Sequence, residues 1–343
     1  MKRKPTIQDI AAKLDITPST VSRALNDHPR ISVSTKKAVQ RVADEINYRP
    51  NFVASALRKG TTQLLGLVVP RIDRAFFSSV IRGVEEIALD KGYSVIVAQS
   101  NEDINRERDV IKAFLNARVA GIFCSLGKNT TEFDHYLEAQ KQGIPIVLFD
   151  RTTTSIDASK AVIDDYLGGY MATEHLIKQE CKRIVHLTSH QVSNIYKERQ
   201  RGYLDALSDH GIAVDNNLMI RCDLQVEDGI NAVSNFLVNE PYDGIFSASD
   251  YAALGAIQAL KSKGKSIPED VCVVGFSNEP FTEFVEPALS TVDQFPEDMG
   301  RAAADLFFKQ IESDLDLSTT YKTMLQPQLI IRKSSNRLNL KLK

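Results

Sequence analysis

Thr17-Pro18-Ser19-Thr20-Val21-Ser22-Arg23-Ala24-Leu25-Asn26 is the stretch on which the reading of this chain turns. Pro18 suits the first position of a helix, where its missing N–H costs nothing, and Thr17 before it can cap that helix. Val21 and Leu25 stand four apart and face inward, while Ser19, Ser22, Arg23 and Asn26 fall at i, i+3, i+4 and i+7 on the opposite face. Upstream, Thr6 caps a first helix through Ile7, Ile10, Ala11 and Leu14, with Asp9 in the first turn favouring its N-terminal dipole. Asp15 and Ile16 form the tight turn between the two. Downstream, a third helix opens near Ser32 or Ser34 and buries Ala38, Val39, Val42, Ala43 and Ile46. Three short helices with a small core, the second exposing short polar residues and one arginine, describe a helix-turn-helix DNA reader. The same periodicity also fits an N-terminal three-helix cap with a solvated polar face.

Charge separates this end from the rest. Residues 1–60 carry 12 Lys and Arg against 5 Asp and Glu, a net of +7, which leaves −9 on the remainder of a chain whose total is −2. A basic module on an acidic body points to a polyanion partner for one end. At about 150 residues per domain, 343 residues make roughly two domains and a small module. The 43% hydrophobic content supports real cores rather than disorder. Cys124, Cys181, Cys222 and Cys272 form no C-x-x-C pair, so no zinc or redox motif is written, and free thiols suit a reducing compartment. The basic start is interrupted by Gln8, Asp9, Lys13 and Asp15 before any apolar signal region develops, and no run approaches the ~18 apolar residues of a membrane span. The expectation is a soluble, cytoplasmic protein with no membrane partner.

Residues 6–57 closely resemble the DNA-binding domain of the lactose-repressor (LacI) family. The match runs without gaps from Thr6-Ile7-Gln8-Asp9-Ile10-Ala11 through Ser19-Thr20-Val21-Ser22-Arg23-Ala24-Leu25-Asn26 to Asn47-Tyr48-Arg49-Pro50-Asn51, and continues more thinly along the chain. The resemblance implies that the second helix lies in the major groove. By position, Pro18 and Ser19 are the pair that varies with operator sequence, and Ser22, Arg23 and Asn26 are shared contacts. Arg23 has the geometry for guanine O6 and N7. Pro18 has no side-chain donor and offers only apolar contact. Thr6, Thr17, Thr35, Tyr48 and Asn51 match positions that hold phosphates or the groove wall. Residues 51–58 match the family's hinge helix, too short to be stable alone, which orders on operator DNA in the minor groove. It includes Ala54, and Leu57 matches the leucine wedged into the central base step. An ordinary linker with one buried leucine is the plainer alternative. Arg58 and Lys59 add charge against the DNA backbone.

After Gly60, apolar runs alternate with amphipathic helices. Strand candidates are 64–69, 93–98, 121–125 and 144–149, then a second set at 162–164, 183–188, 244–248 and 271–276. Such alternation gives parallel sheets covered by helices on both faces, and eight strands over ~260 residues suit two α/β subdomains better than one sheet. The segment Leu289–Gln294 and a helix from Pro296 to about Ile311 resemble the family's crossover back into the first subdomain. The fold class expected is therefore a small all-α helix-turn-helix domain plus a two-lobed α/β core like that of periplasmic binding proteins. The bounds expected are 1–50 for the reader, 51–60 for the hinge and 61–343 for the core. Within the core, the N-subdomain takes about 61–160 and 291–325, and the C-subdomain about 161–290 and 326–343.

Enzyme motifs are largely absent. Gly275-Phe276-Ser277-Asn278-Glu279 departs from a nucleophile elbow at its second glycine, and no base and acid follow Ser277 in a recognised order. His186 and His190 span a strand end and a loop rather than one helix face, so no metal is expected. No phosphate-binding glycine motif or cofactor signature occurs, and no cofactor is expected.

The effector cleft is implied by the resemblance alone. Phe76 and Phe77 match ligand-facing aromatics, or else belong to the core. Asp150 ends a strand at the lobe junction, with Arg151 beside it. Arg199 matches the family's most dependable effector-contacting arginine, Leu224 a wall position, and Asp250 both a helix cap and a cleft group. The family's usual aspartate is replaced by the neutral pair Ser277-Asn278, which suits a neutral or anionic sugar, with Glu279 available as a relocated acid.

The implied activity is a transcription regulator, a repressor, of carbohydrate-related genes. It would bind a pseudo-palindromic operator as a homodimer and respond to a sugar or sugar derivative. The tail after Arg332 is too short for a heptad zipper, so no tail-mediated tetramer is expected. The rivals are a sugar-binding accessory protein and an enzyme acting on a sugar or nucleoside.

Overall fold

Hydroxyl and carboxylate caps start each helix of the first unit. The structure is a computed structural model that describes residues 5–48, 62–190, 194–237, 240–312 and 319–340, and it divides into Met1–Thr62 and Gln63–Lys343. In the first unit, α1 (Ile7–Leu14) opens on a capping box in which the Thr6 N–H donates to Asp9 Oδ2 at 2.7 Å. In α2 (Pro18–Leu25), Thr17 Oγ1 accepts from the Thr20 N–H. In α3 (Val33–Glu45), Ser32 Oγ accepts from the Thr35 N–H, so of the two candidate starts Ser32 is the cap. Asp15 closes α1 in the left-handed region at φ 51°, turning the chain into α2. Ile10, Val21 and Val39 are fully buried at the centre, worth about 1.5–3 kcal/mol each. Leu14, Leu25, Ile46 and Tyr48 pack around them. Asn51, Ala54, Leu57 and Arg58 lie outside the described residues.

The second unit has two lobes. The first contains β1 (Leu64–Val69), α4 (Ala75–Asp90), β2 (Ser94–Gln99), α5 (Ile104–Ala117), β3 (Gly121–Cys124), α6 (Asp134–Lys141), β4 (Ile146–Phe149) and β5 (Ser159–Ile163). The second contains α7 (Asp165–Lys178), β6 (Ile184–Ser189), α8 (Asn194–Asp209), β7 (Met219–Cys222), α9 (Val226–Asn231), β8 (Gly244–Ser247), α10 (Asp250–Ser262), β9 (Cys272–Phe276) and β10 (Ser290–Asp293). Then α11 (Pro296–Glu312) and β11 (Lys322–Leu325) return to the first lobe, and β12 (Gln328–Ile330) and α12 (Arg337–Leu340) to the second. The first sheet, in the order β11-β5-β4-β3-β1-β2, is parallel throughout. The second runs β12-β10-β9-β8-β6-β7, with only β12 antiparallel. In the first lobe, α4 and α11 cover one face of the sheet, and α5 and α6 cover the central strands on the other. The central strands of both sheets are therefore apolar on both sides.

Two assignments differ from the sequence reading. The run at 162–164, grouped with the second set, belongs to β5, which pairs with β4 and β11 in the first sheet. The chain therefore first crosses at Asp164 rather than at about 160. β10 pairs with β9 and β12 in the second sheet, so the return crossing follows Asp293 rather than beginning at 291. A short apolar run is compatible with either sheet; only its pairing decides. A third crossing, Gln326 and Pro327, joins β11 to β12.

The shared strand order matters for function. In each lobe the connections leave in opposite directions from the middle pair, β1/β3 or β6/β8, opening a crevice at the strands' carboxyl ends where α/β sheets place ligands.

Candidate functional site

On the first unit the candidate surface is the outer face of α2. Pro18, Ser19, Arg23 and Asn26 are exposed and Ser22 is half-buried, because Val21 and Ala24 take the inward positions. Arg23 has no ion-pair partner among the described residues, whereas Lys36 pairs with Asp27 at 2.6 Å and Lys13 lies 3.9 Å from Glu45. Asn26 Nδ2 donates to the Ser22 carbonyl at 2.7 Å, so this amide closes its own helix. Thr17 Oγ1 lies 2.8 Å from Ser19 Oγ and 2.9 Å from Thr20 Oγ1, placing three hydroxyls at the N-terminus of α2. Ser32, Ser34 and Thr35 make a similar group at the start of α3. Helix N-termini with hydroxyl donors suit phosphate oxygens. Thr6 is tied to Asp9, and the half-buried Tyr48 packs against the three-helix core.

In the second unit, loops at the carboxyl ends of the two sheets meet around a space of about 120 Å³. That is below the several hundred Å³ of drug-sized pockets, so a compact ligand fits and a larger one requires the lobes to part. Phe76, Phe77, Asp150, Arg151, Arg199, Leu224 and Ser277 line it. Phe76 and Phe77 meet edge to face at 5.1 Å and are also part of the first lobe's core.

Arg199 has three of its five guanidinium N–H donors engaged. Its Nε donates to Asp165 at 2.8 Å, Nη1 to the Ala248 carbonyl at 3.0 Å and Nη2 to Gln294 Oε1 at 3.1 Å, and its guanidinium lies 3.7 Å over the Phe276 ring. Burial lifts the Asp165 pKa to about 7, against the pull of Arg199. Gln294 Nε2 donates onward to Ser277 Oγ at 2.9 Å. The partner of Ser277 is thus an amide, which cannot act as a general base. Asp150, in the left-handed region at φ 57°, accepts from Ser125 Oγ at 3.2 Å; burial raises its pKa. Arg151 donates to Glu102 at 3.0 Å, and its buried Nε has no hydrogen-bond partner among the described residues, lying 4.0 Å from Asp150 Oδ2.

Two expected cleft residues stand behind the wall instead of on it. Asp250 is fully buried and accepts from Thr291 Oγ1 at 2.6 Å and from the Glu279 N–H at 2.8 Å. It clamps the 277–279 turn, and Gly275 is required beside it because a Cβ there would sit 2.1 Å from its Oδ1. The cap of α10 is Ser249, which accepts from the Tyr251 N–H. Asn278 donates to Asp293 and accepts from Arg332, both at 3.0 Å, so its amide braces the turn.

Several lining residues carried no signal in the sequence. Arg74 donates to Gln225 Oε1 at 2.6 Å across the lobes and lies 3.8 Å over the Tyr251 ring. Lys128 reaches Asp223 at 3.3 Å, and beyond the lining of this space the Thr152 N–H donates to Asn194 Oδ1 at 3.3 Å. Each sits in a loop just past a strand's carboxyl end or at the start of the next helix. That position is the one general cue that could have found them. Glu279 lines the space too; burial raises its pKa, while Arg74 and the Ala75 and Phe76 N–H groups draw it down. Among the described residues, no cluster of three or more His, Cys, Asp or Glu could hold a metal, and no helix is long and apolar enough to cross a membrane.

Comparison with known proteins gives each unit a family match. Residues 62–331 match the family described as periplasmic binding proteins and sugar binding domain of the LacI family, and residues 6–51 match the lacI family of bacterial regulatory proteins. A ribose operon repressor from Halalkalibacterium halodurans is 32% identical over 332 residues, covering 96% of this chain and 97% of that protein. The transcriptional repressor PurR of Vibrio atlanticus is 30% identical over 335 residues, covering 97% and 99%. Among solved structures, the complex of the transcriptional regulator CelR with cellobiose superposes with a TM-score of 0.73 at 27% identity, covering 96% of this chain and all of that one. The lac repressor dimer bound to operator and the anti-inducer ONPF shares the fold, with a TM-score of 0.84 at 20% identity over 97% and 99%.

Proposed function

The chain belongs to the LacI family of bacterial regulatory proteins, and from that premise we propose that it is a cytoplasmic, ligand-controlled transcription repressor. It binds a pseudo-palindromic operator as a homodimer, because two readers on a two-fold axis require two half-sites. The effector is a sugar or sugar derivative held between the lobes. The relatives named as a ribose operon repressor and a cellobiose-bound regulator support that class.

One observation carries the reading: a single chain joins an α2 face with an exposed, unpaired arginine to two like-ordered lobes whose ligand-side ends share one buried polar space. The first is built to meet DNA and the second to close on a small molecule. Lobe closure controls DNA affinity only if the effector prefers one arrangement. The residues assigned to DNA are Thr6, Thr17, Pro18, Ser19, Ser22, Arg23, Asn26, Thr35 and Tyr48, with Asn51, Ala54, Leu57 and Arg58 from the hinge. Those assigned to the effector and lining the space are Phe76, Phe77, Asp150, Arg151, Arg199, Leu224 and Ser277, with Asp250 and Asn278 positioning the last.

Selection of a binding site from randomised duplex DNA by mobility shift tests the reading, followed by thermal-shift screening of monosaccharides, disaccharides and sugar phosphates. The expected result is one palindromic sequence whose retention changes with one sugar. Failure to enrich any sequence rejects the repressor; turnover of the bound sugar assigns the cleft to an enzyme.

A further inference from the structure

On the face of the first sheet that α5 and α6 cover, no helix among the described residues extends over β11, and β5 beside it lines an open groove. Parallel sheets are ordinarily covered on both faces, so an open stretch asks for an explanation. Here Lys160 and Val162 of β5 lie in register with Lys322 and Met324 of β11 and form the floor of an open groove of about 1220 Å³. The 127–131 and 152–154 loops form one wall. The start of α8, from the other lobe, forms the opposite wall with Asn194 and Lys197.

The charges in this groove are lopsided. Lys160 and Lys322 are directly opposite each other, an arrangement that destabilises a sheet. Burial and the Lys322 ammonium pull the Lys160 pKa down. None of Lys160, Lys197 and Lys322 has an ion-pair or side-chain hydrogen-bond partner among the described residues. The groove's carboxylates are already engaged. Asp165 holds Arg199, Glu198 pairs with Arg201, Asp223 with Lys128, and Asp164 caps α7 through the Leu167 N–H. Three ammonium groups without an ion-pair partner among the described residues therefore face one concavity on the acidic part of the chain, with Asp157 acting on Lys160 only at longer range. Threonine hydroxyls and asparagine amides surround them, with Val162 and the 48% exposed Met324 as an apolar strip.

We propose that this groove, which shares Lys128, Arg151 and Asp223 with the rim of the inner space, is a second ligand site for a small phosphorylated molecule carrying at least two negative charges. Its phosphoryl oxygens meet the ammonium groups of Lys160 and Lys322 from below and of Lys197 from the side. Its remaining hydroxyls meet the threonine and asparagine rim. Because Lys197 belongs to one lobe and the other two lysines to its neighbour, the bound anion favours the lobe arrangement that brings them together. It is thereby coupled to whatever occupies the inner space. The site does not depend on the sugar reading of that space.

Isothermal titration of the full chain with pyrophosphate, at fixed ionic strength, tests the proposal on four proteins: wild type, K160Q/K322Q, K197Q and R74Q. The expected result is saturable binding weakened at least tenfold in K160Q/K322Q and severalfold in K197Q, and changed by less than in either of these in R74Q, whose arginine touches the anion in neither arrangement but joins the lobes at the inner space. The melting temperature of K160Q/K322Q without ligand should not fall, since a like-charge opposition has been removed. Equal affinity in wild type and K160Q/K322Q overturns the proposal, as does loss of binding in R74Q alone. So does binding of a polyglutamate peptide without binding of pyrophosphate, which would give the groove to an acidic protein segment.

Discussion

The outer face of α2 and the inter-lobe space both present an arginine, and they treat it in opposite ways. Arg23 stands exposed, with no ion-pair partner among the described residues, on a helix whose other face is locked into a small core. Arg199 is 3% exposed and divides its donors among a carboxylate, a carbonyl and an amide. A surface that reads a rigid polyanion keeps its donors free and lets water hold them meanwhile. A buried space has no such reserve, because an unpaired guanidinium there loses its hydration without return. An effector that reaches Arg199 meets the two guanidinium N–H groups these three bonds leave over, or displaces Gln294 or Asp165, and the second course is a route by which binding alters the lobe.

Substitutions sharpen the contrast. Arg199→Ala should have the largest effect, abolishing the effector response and costing about 3–5 kcal/mol of stability in denaturant unfolding, since Asp165 is left buried without its cation. A fully stable Arg199→Ala would mean that the network is ornamental. Arg23→Ala should leave unfolding unchanged and cost about 1–3 kcal/mol on the operator, with relaxed preference at one base pair. A uniform loss on all DNA would reduce Arg23 to a phosphate contact. Next comes Arg74→Ala, which removes a charged inter-lobe hydrogen bond of about 1.5–3 kcal/mol in gross terms. About a tenfold change in effector affinity by calorimetry, with operator affinity in the absence of effector retained, is the expected outcome.

The remaining effect is a pH slope, read across conditions rather than at one pH. Burial lifts the Asp250 pKa to about 7 from 3.8. A carboxyl raised on folding is protonated more readily in the native state. The stability this confers is fully present below pH 4 and is lost as pH rises towards 7. Asp250→Asn should therefore gain on wild type across that window, and a parallel pair of stability curves would show that Asp250 does not titrate there.

What could be read beforehand was whatever is local. The caps of α1 and α2 follow from Thr6 with Asp9 and from Thr17 with Pro18, and the inward and outward faces of α2 follow from spacing alone. In the core, the central strands announce themselves as apolar runs. β7, β11 and β12 do not, because none of them has a buried residue and each mixes polar with apolar residues. The role of Asn278 was equally hidden. It looked like a ligand group from its neighbours in sequence, but its amide is taken by Arg332, which the antiparallel return of β12 brings alongside. The inter-lobe contacts of Arg74 and Lys128 depend on two sheets meeting end to end, a relation that no window of sequence contains.

The three crossings between the lobes have a mechanical consequence. Asp164, Gln294 with Phe295, and Gln326 with Pro327 are each one or two residues long and anchored at both ends in strand or helix. Three short struts side by side behave as a leaf flexure: compliant to bending in one plane, stiff to shear, and with no slack for the lobes to drift apart. A force applied at the ligand therefore has one soft direction in which to do work.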